Sequence, residues 1–464
     1  MYSKKKIHFE ISERKVLLRI FDVVFVLLAL YGIGNLFDFD YFNISATNFY
    51  WTIVLALYIT LFGSVFEIYN LQVASNQFQV VKGIILTAST TVLIYLLTPM
   101  FTPVLPSNRL QILYFFFAVT GALLAWRIFY AGFLASTRFE KKAVLVCDKN
   151  QLTELVNALA KEDPHYKIIG YVNSDSDSQS EEVVKLKSIL PEKLGHFVKK
   201  NQISEIVIAS QKTDGITTIL YSQLLHLLEN GITIREYTQL YETIAHRIPV
   251  QFVSRDFYRY FPFSRNNHNK LYLSSIRVME VLTSIIGLIV GAVLVPFIWF
   301  GNKINNNGPL FYTQERVGKN GVVFQIYKFR TMIQNAENGK EAIFAIQNDV
   351  RITPFGKFMR KARIDEFPQF LNILKGDMGV IGPRPERPFF VKQLAKVMPF
   401  YETRHVIKPG LTGWAQVNYS YGESIEESLV KLQYDLYYIK HRSIFLDTNI
   451  IIKTLSTVVF YRGQ

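Results

Sequence analysis

Hydrophobic and polar positions alternate along this chain in blocks of different kinds. Four long apolar runs come first, at about Leu17 to Phe37, Trp51 to Tyr69, Val81 to Phe101 and Ile112 to Leu134. Each is near the roughly 20 residues that cross a bilayer as a helix and too long for a core strand. The pattern predicts four transmembrane helices within residues 1–139. A fifth run, Val278 to Phe300, stands far down the chain. Pro296 is expected to break its helix near the end, and Gly287 and Gly291 to loosen it. Such a segment suits a helix that enters one leaflet and returns.

Between these runs the blocks shorten. Ala143-Val144-Leu145-Val146 reads as a buried strand, Leu152 to Leu159 as a helix, and Lys167 to Val172 and Glu205 to Ala209 as further strands. That alternation predicts a small Rossmann-like parallel sheet in residues 140–254. The first strand runs into Cys147-Asp148-Lys149-Asn150 with no glycine-rich phosphate loop, so a regulatory or structural role is expected there in preference to dinucleotide binding. Asn173 to Ser178 is short, polar and acidic, but lacks EF-hand spacing and reads as a flexible loop. Residues 255–270, rich in Arg, Asn and aromatics, read as a linker into a third region, 271–464. Within it, Phe355, Phe358 and Met359 alternate with Lys357, Arg360, Lys361 and Arg363, as in an amphipathic helix lying among lipid headgroups.

Charge adds orientation. The chain is 50% hydrophobic and 14% aromatic, yet carries a net charge of +14. That mixture fits a protein that enters the lipid bilayer and presents basic surface to anionic lipids or phosphate ligands. Nucleic acid, the rival partner of a basic chain, is disfavoured by the apolar runs. Lys4, Lys5, Lys6, Arg14 and Lys15 precede the first run, Lys82 lies between the second and third, and Arg138, Lys141 and Lys142 follow the fourth. The intervening Asp38-Phe39-Asp40-Tyr41 is acidic and Pro103 to Ser107 is uncharged, so the positive-inside rule puts both ends of the bundle in the cytoplasm. The first run is too long for a signal peptide and lacks an obvious small-residue cleavage site. Cys147 is the only cysteine, which excludes an intramolecular disulfide and a cysteine-rich metal site.

The candidate chemistry is concentrated in Arg363-Ile364-Asp365-Glu366-Phe367-Pro368-Gln369-Phe370, with Lys375-Gly376-Asp377 and Gly382-Pro383-Arg384-Pro385 close behind. Pro368 suits the first turn of a helix. Asp365 and Glu366 would then sit at its N-terminal end, where unpaired N–H groups keep Asp365 ionised and welcome a phosphate. Adjacent helical positions point apart, so one carboxylate would attack phosphorus while the other holds a metal ion. An ordinary acidic helix start is the bland alternative, and the surroundings decide against it. Arg384, locked between prolines, is expected to contact a nucleotide or its phosphates. Lys328 and Arg330 would share one face of a strand suggested by Val322 to Tyr327.

Those surroundings resemble the bacterial sugar transferases, also called monotopic phosphoglycosyl transferases or polyprenyl-phosphate hexose-1-phosphate transferases. The resemblance runs from about Leu271 to the C-terminus through ordered blocks: Gly308 to Gly318, Tyr327 to Met332, the Asp365-Glu366 block, Gly382 to Pro385, and Lys408 to Asn418. It implies transfer of sugar-1-phosphate from a UDP-sugar donor to polyprenyl phosphate, with release of UMP, to begin a capsule, exopolysaccharide or O-antigen. Asp365 matches the family nucleophile and Glu366 its Mg²⁺ ligand. Arg360 matches a motif arginine that would fork onto a phosphate, and Lys328 with Arg330 join the site. The family uses a re-entrant helix. Here its break follows Val295 where a serine is common, and Arg277 with Glu280 replaces a commoner basic and aspartate pattern. Larger members precede the catalytic domain with a membrane bundle and a nucleotide-binding-like domain, as this chain does.

The expected fold is therefore a membrane protein of α plus α/β class, with a C-terminal α/β-containing catalytic domain carrying a re-entrant helix and interfacial amphipathic helices. Its expected place is the bacterial inner membrane with the catalytic domain facing the cytoplasm, and the bundle offers a surface for a homodimer. A nucleotide-sugar dehydratase or epimerase is the rival enzyme, disfavoured by the missing glycine loop. A non-catalytic scaffold is the rival of another class, disfavoured by the intact Asp365-Glu366 pair. Gly410, Gly413 and Lys408-Pro409 read first as turn chemistry, and Trp414 as packing, base stacking or a membrane-interface anchor.

Overall fold

The computed structural model describes residues 11–37, 39–42, 48–69, 77–133, 141–163, 166–174, 186–209, 216–250, 267–305, 308–334, 336, 349–419 and 424–459. Residues 255–266 of the expected linker and 175–178 of the acidic loop lie outside them. The chain divides into two compact units, residues 1–240 and 241–464.

The first unit opens with four apolar helices, α1 (Ile11–Leu36), α2 (Phe49–Val65), α3 (Gln77–Leu97) and α4 (Leu110–Phe133). Three of them are long and apolar enough to cross a membrane, over Lys15–Asn35, Val80–Leu97 and Leu110–Tyr130. The second is shorter than its apolar run suggested. It has 17 residues and stops at Val65, where Glu67 turns left-handed (φ 59°) and the Ile68 N–H donates back to the Gly63 carbonyl at 3.0 Å, a terminating cap that apolar patterning does not reveal. Trp126, Tyr95, Phe115, Leu55 and Ile84 fill the bundle core. Leu28, Leu57, Leu93 and Phe117 stay on the outside, as expected of surfaces that face lipid.

Five parallel strands follow, β1 (Lys141–Cys147), β2 (Tyr166–Asn173), β3 (Lys187–Ser188), β4 (Glu205–Ile208) and β5 (Thr233–Glu236). Their order is β3-β2-β1-β4-β5, the doubly wound arrangement expected from the alternating blocks. Val144, Leu145 and Val146 of the central strand are fully buried, which is why that strand reads as a continuous apolar run.

The second unit holds a 36-residue helix, Lys270–Asn305, an antiparallel hairpin of β6 (Phe311–Val317) and β7 (Val323–Phe329), and a parallel pair β8 (Gly379–Ile381) and β9 (Gly410–Thr412) among short helices. Pro296 lies inside the long helix, which continues nine residues further to Asn305 where a break was expected. Gly287 and Gly291 do not loosen it either. A Cβ at Gly287 would overlap the Phe370 ring, one at Gly291 would touch Phe367, and one at Gly301 would overlap Phe355. The glycines are seats into which the segment around Asp365 packs. On its other side the same helix exposes Val278, Leu282, Ile286, Ile289, Val293, Phe297 and Phe300, spaced as one helical face. A fully apolar exposed stripe of this length suits hydrocarbon, not water. Together with the bundle it makes this a membrane protein.

Candidate active site

Asp365 and Glu366 do not begin an α-helix. They lie in a short 3-10 turn, Ile364–Glu366, and the helix starts after Pro368, at Gln369–Lys375. Upstream, the helix Pro354–Lys361 ends at Arg363, whose backbone is left-handed (φ 55°) and whose N–H donates to the Arg360 carbonyl at 3.0 Å. A non-glycine residue in that region stores about 1–3 kcal/mol of strain. The turn puts both carboxylates under cover, with Asp365 7% and Glu366 9% exposed.

Their surroundings differ sharply. Glu366 is clamped: Lys328 Nζ at 3.4 Å and an Arg384 guanidinium nitrogen at 3.5 Å reach Oε1, and Arg363 reaches Oε2 at 3.4 Å. Burial alone would raise its pKa, but Lys328, Arg384 and Arg363 together outweigh burial and hold it well below the usual carboxylate range. Asp365 makes no hydrogen bond or ion pair among the described residues. Burial pushes its pKa up to about 6 and the neighbouring Glu366 adds to that, while Lys328, Arg360 and Arg384 pull the other way. The helix-end argument therefore gives the wrong direction for Asp365, because desolvation dominates. What results is one carboxylate fixed as an anion and, next to it, one that is unpaired and more basic than usual.

Three of the four cations expected in the site stand around this pair. Lys328 projects from β7, Arg384 from the loop after β8, and Arg360 from the Pro354–Lys361 helix, where its Nε donates to Thr331 Oγ1 at 2.8 Å. Arg330 turns elsewhere. Its Nε donates to the Pro309 carbonyl at 2.7 Å, and its guanidinium lies against Gly308, whose φ of +136° is rarely adopted by residues with a side chain and where a Cβ would meet the guanidinium at 3.0 Å. In the Pro354–Lys361 helix, Met359 is completely buried and Phe355 sits on Gly301, while Lys357, Phe358 and Lys361 face outward.

Several further residues hold the site, and of these Asn372 and Arg404 carry no sequence signal. Asn372 is fully buried; its Nδ2 donates to the Gln325 carbonyl at 2.7 Å and its Oδ1 accepts the Tyr327 N–H at 3.1 Å, which fixes β7 and hence Lys328. Arg404 donates to the Arg384 carbonyl at 3.1 Å and pairs with Asp435 at 2.7 Å, and Arg316 donates to the Pro385 carbonyl at 3.0 Å. Arg277 donates to the carbonyls of Ile373 and Leu374, each at 2.7 Å, closing the C-terminus of the Gln369–Lys375 helix. The glycines read as turns have a sharper task. A Cβ on Gly382, Gly410 or Gly413 would collide with backbone atoms of the facing segment, so the Lys408 to Gly413 stretch lies directly on the loop that carries Arg384. Trp414 is packing: it is buried, its Nε1 donates to the His246 carbonyl at 2.9 Å, and it stacks on Tyr437.

Among the described residues no three His, Cys, Asp or Glu side chains gather as a ready-made metal cage. The donor set still fits Mg²⁺, which keeps several waters and commonly takes one or two carboxylates together with substrate phosphates. Glu366 is ionised and beside a basic patch that would receive phosphate, but Lys328, Arg384 and Arg363 engage both its oxygens, so an ion held there would replace one of those contacts.

Residues 271–461 match the family model described as bacterial sugar transferase, and residues 64–221 the one described as CoA-binding domain. The chain is 44% identical over 183 residues to the UDP-N-acetylgalactosamine-undecaprenyl-phosphate N-acetylgalactosaminephosphotransferase of Aeromonas hydrophila, covering 39% of this chain and 43% of that protein. It is 32% identical over 282 residues to the UDP-glucose:undecaprenyl-phosphate glucose-1-phosphate transferase of Xanthomonas campestris pv. campestris, covering 58% and 56%. It is 35% identical over 191 residues to the uncharacterized sugar transferase EpsL of Bacillus subtilis (strain 168), covering 40% of this chain and 88% of that protein. The chain thus spans about half the length of the first two relatives, 43% and 56%. The second family model implies coenzyme A, which the described residues do not fit. At the end of β1 the buried Asp148 carboxylate accepts the Ser174 hydroxyl at 2.6 Å, where a pyrophosphate would need backbone N–H groups on a glycine turn.

Proposed function

We propose that this chain, which belongs to the bacterial sugar transferase family, transfers sugar-1-phosphate from a UDP-sugar to polyprenyl phosphate in two displacements at Asp365. The observation that carries this reading is the contrast between the unpaired, basic Asp365 and the clamped Glu366. A carboxylate left without a partner in a cationic pocket is the group free to attack.

The donor's diphosphate enters the patch formed by Lys328, Arg360 and Arg384, where charge-assisted hydrogen bonds orient it. An Asp365 oxygen attacks the sugar-linked phosphorus. The bond from that phosphorus to the bridging oxygen breaks, its electron pair leaves with UMP, and the sugar phosphate remains on Asp365 as an acyl phosphate. The terminal oxygen of polyprenyl phosphate then attacks the same phosphorus, the Asp365 carboxylate departs, and polyprenyl-diphospho-sugar forms. Dividing one displacement into two lowers each barrier. Glu366 would hold Mg²⁺ when that ion is bound, which would supply positive charge to the diphosphate. The sugar is left open by the relatives, whose names include both N-acetylgalactosamine and glucose donors.

The membrane arrangement is part of the same proposal. The exposed stripe of the Lys270–Asn305 helix is embedded in the cytoplasmic leaflet of the inner membrane, so that 271–464 acts as the catalytic domain on the side where nucleotide sugars are made. Residues 1–139 form the bundle and 140–254 a regulatory or structural domain, and two copies pair through the bundle. A single experiment tests the chemistry: UMP release from a panel of UDP-sugars by the purified protein with Mg²⁺ and polyprenyl phosphate, beside Asp365→Asn. Release for one donor that vanishes in the variant supports the reading; folded protein that turns over no donor sinks it.

A further inference from the structure

Inside the N-terminal bundle, away from any catalytic task, a set of charged side chains gathers at one end. Asp22 of α1 and Arg127 of α4 form an ion pair at 2.9 Å, with Asp22 fully buried. The Arg127 guanidinium lies over the Tyr69 ring at 5.4 Å, and the Arg19 guanidinium lies over the same ring at 5.3 Å. Lys15, Arg19 and Asp22 fall on one face of α1. Arg19 and Arg127 therefore share one tyrosine ring, and Lys15 stands one turn from Arg19. Arg127 engages Oδ2 of the Asp22 carboxylate while its buried Oδ1 has no hydrogen-bond partner, and among the described residues neither Lys15 nor Arg19 pairs with a carboxylate. Arg127 also keeps a buried Nε–H with no acceptor.

Their depth is informative. Lys15 opens the apolar span Lys15–Asn35, and Tyr130 closes the span Leu110–Tyr130. Arg19 is thus about 6 Å of helix rise inside one span, and Arg127 about 4.5 Å inside the other. Both lie in the outer part of the hydrocarbon thickness, from which long basic side chains reach up to the phosphate and glycerol level. Ionisable side chains in a membrane segment are costly, and persist where they face a partner. A second carboxylate would be such a partner, and among the described residues none pairs with Lys15 or Arg19. An anion from the bilayer would be another, and basic pockets between membrane helices take phosphate headgroups in this way.

We infer that the Lys15, Arg19 and Arg127 end of the bundle is a binding site for the phosphate of an anionic lipid, with both guanidinium groups gathered on the Tyr69 ring. Two sources share that chemistry, an ordinary anionic phospholipid and the polyprenyl phosphate itself. The site does not depend on the catalytic reading of Asp365, since it would bind lipid whether or not the chain turns over.

The test is thermal unfolding of the full chain in detergent, with added phosphatidylglycerol, polyprenyl phosphate or phosphatidylcholine as probes. The expected result is a rise in melting temperature of about 3 °C or more with a phosphate-bearing anionic lipid over phosphatidylcholine, as preferential binding to the folded state requires. That rise should be lost in the Lys15→Gln, Arg19→Gln double variant and kept in Lys199→Gln, an exposed control outside the bundle. Because Arg19 is exposed, its removal leaves the buried Asp22–Arg127 pair intact and the bundle folded. Protection by only one of the two anionic lipids assigns the source. Equal protection by phosphatidylcholine, or protection unchanged in the double variant, overturns the site.

Discussion

Strand β1 and the β8–β9 pair are both parallel sheet, yet they are held by opposite means. β1 is fixed by side chains: Val144, Leu145 and Val146 are fully buried between two layers of helices. β8 and β9 are fixed by the lack of side chains. Gly379 pairs with Gly410, and Gly382 and Gly413 let two backbones approach so closely that a single methyl would overlap a main-chain atom. The first arrangement stabilises through area removed from water, about 25 cal/mol per Å². The second stabilises little by itself but fixes where Arg384 stands. The scaffold rests on apolar area, and the site on close backbone approach and charge.

The largest effect expected of that difference is at Asp365. Asp365→Asn should lower UMP release by about 10³-fold or more, since the nucleophile is gone, while the melting temperature holds or rises because a desolvated carboxylate is removed. Calorimetry of that variant beside the parent chain checks the second half. Glu366→Gln should behave in the reverse manner, losing stability as well as turnover, because Lys328, Arg363 and Arg384 are left without their anion.

The pH profile sharpens the same contrast. With Asp365 pushed up to about 6 from an ordinary 3.8, turnover should fall as pH drops through 6, by about tenfold per unit once well below it. The stability consequence has the opposite sign. Between 3.8 and about 6 the folded chain binds a proton at Asp365 that the unfolded chain does not, so this residue's contribution declines as pH rises across that window. Glu366, held below its ordinary value, stabilises at neutral pH and loses its contribution as pH falls through and below the usual carboxylate range. Denaturation midpoints at pH 4, 5, 6 and 7 for the parent and the two variants separate these opposing slopes.

Glycine and core substitutions break the comparison directly. Gly382→Ala should cost about 3 kcal/mol by overpacking against main chain and disturb Arg384. Val146→Ala should cost about 2 kcal/mol as a core cavity while leaving turnover per folded molecule unchanged. Gly121→Ala in α4, where nothing lies within 4 Å, should stabilise by about 0.5–1 kcal/mol. Chemical denaturation and activity measured on the same preparations rank the three.

This contrast also explains what the sequence disclosed. Apolar runs and alternating blocks specified the bundle helices and three strands of the parallel sheet, because burial is written in residue type, while the short edge strands β3 and β5 carried too little apolar pattern to be read. The early end of α2 was hidden, since a left-handed Glu67 is a backbone choice. Asp365 and Glu366 were legible as a pair, and so were Lys328, Arg360 and Arg384 as cations near them. Their relative charge states were not, because desolvation depends on the long helix that covers them. Arg404, Asp435 and Asn372 were invisible for a related reason: their partners lie 20 to 47 residues away in the chain. Gly287 and Gly291 were legible as unusual but misread as weakness, when each is the space for a phenylalanine ring from the site.

The most direct test of the account is intact-protein mass measurement after mixing the purified chain with a UDP-sugar and Mg²⁺ in the absence of polyprenyl phosphate. The account predicts a mass increase equal to one sugar phosphate, located on the peptide holding Asp365, absent in Asp365→Asn, and discharged when polyprenyl phosphate is added. UMP release that requires polyprenyl phosphate from the first turnover, with no adduct on any peptide, would contradict it and assign Asp365 a role other than nucleophile.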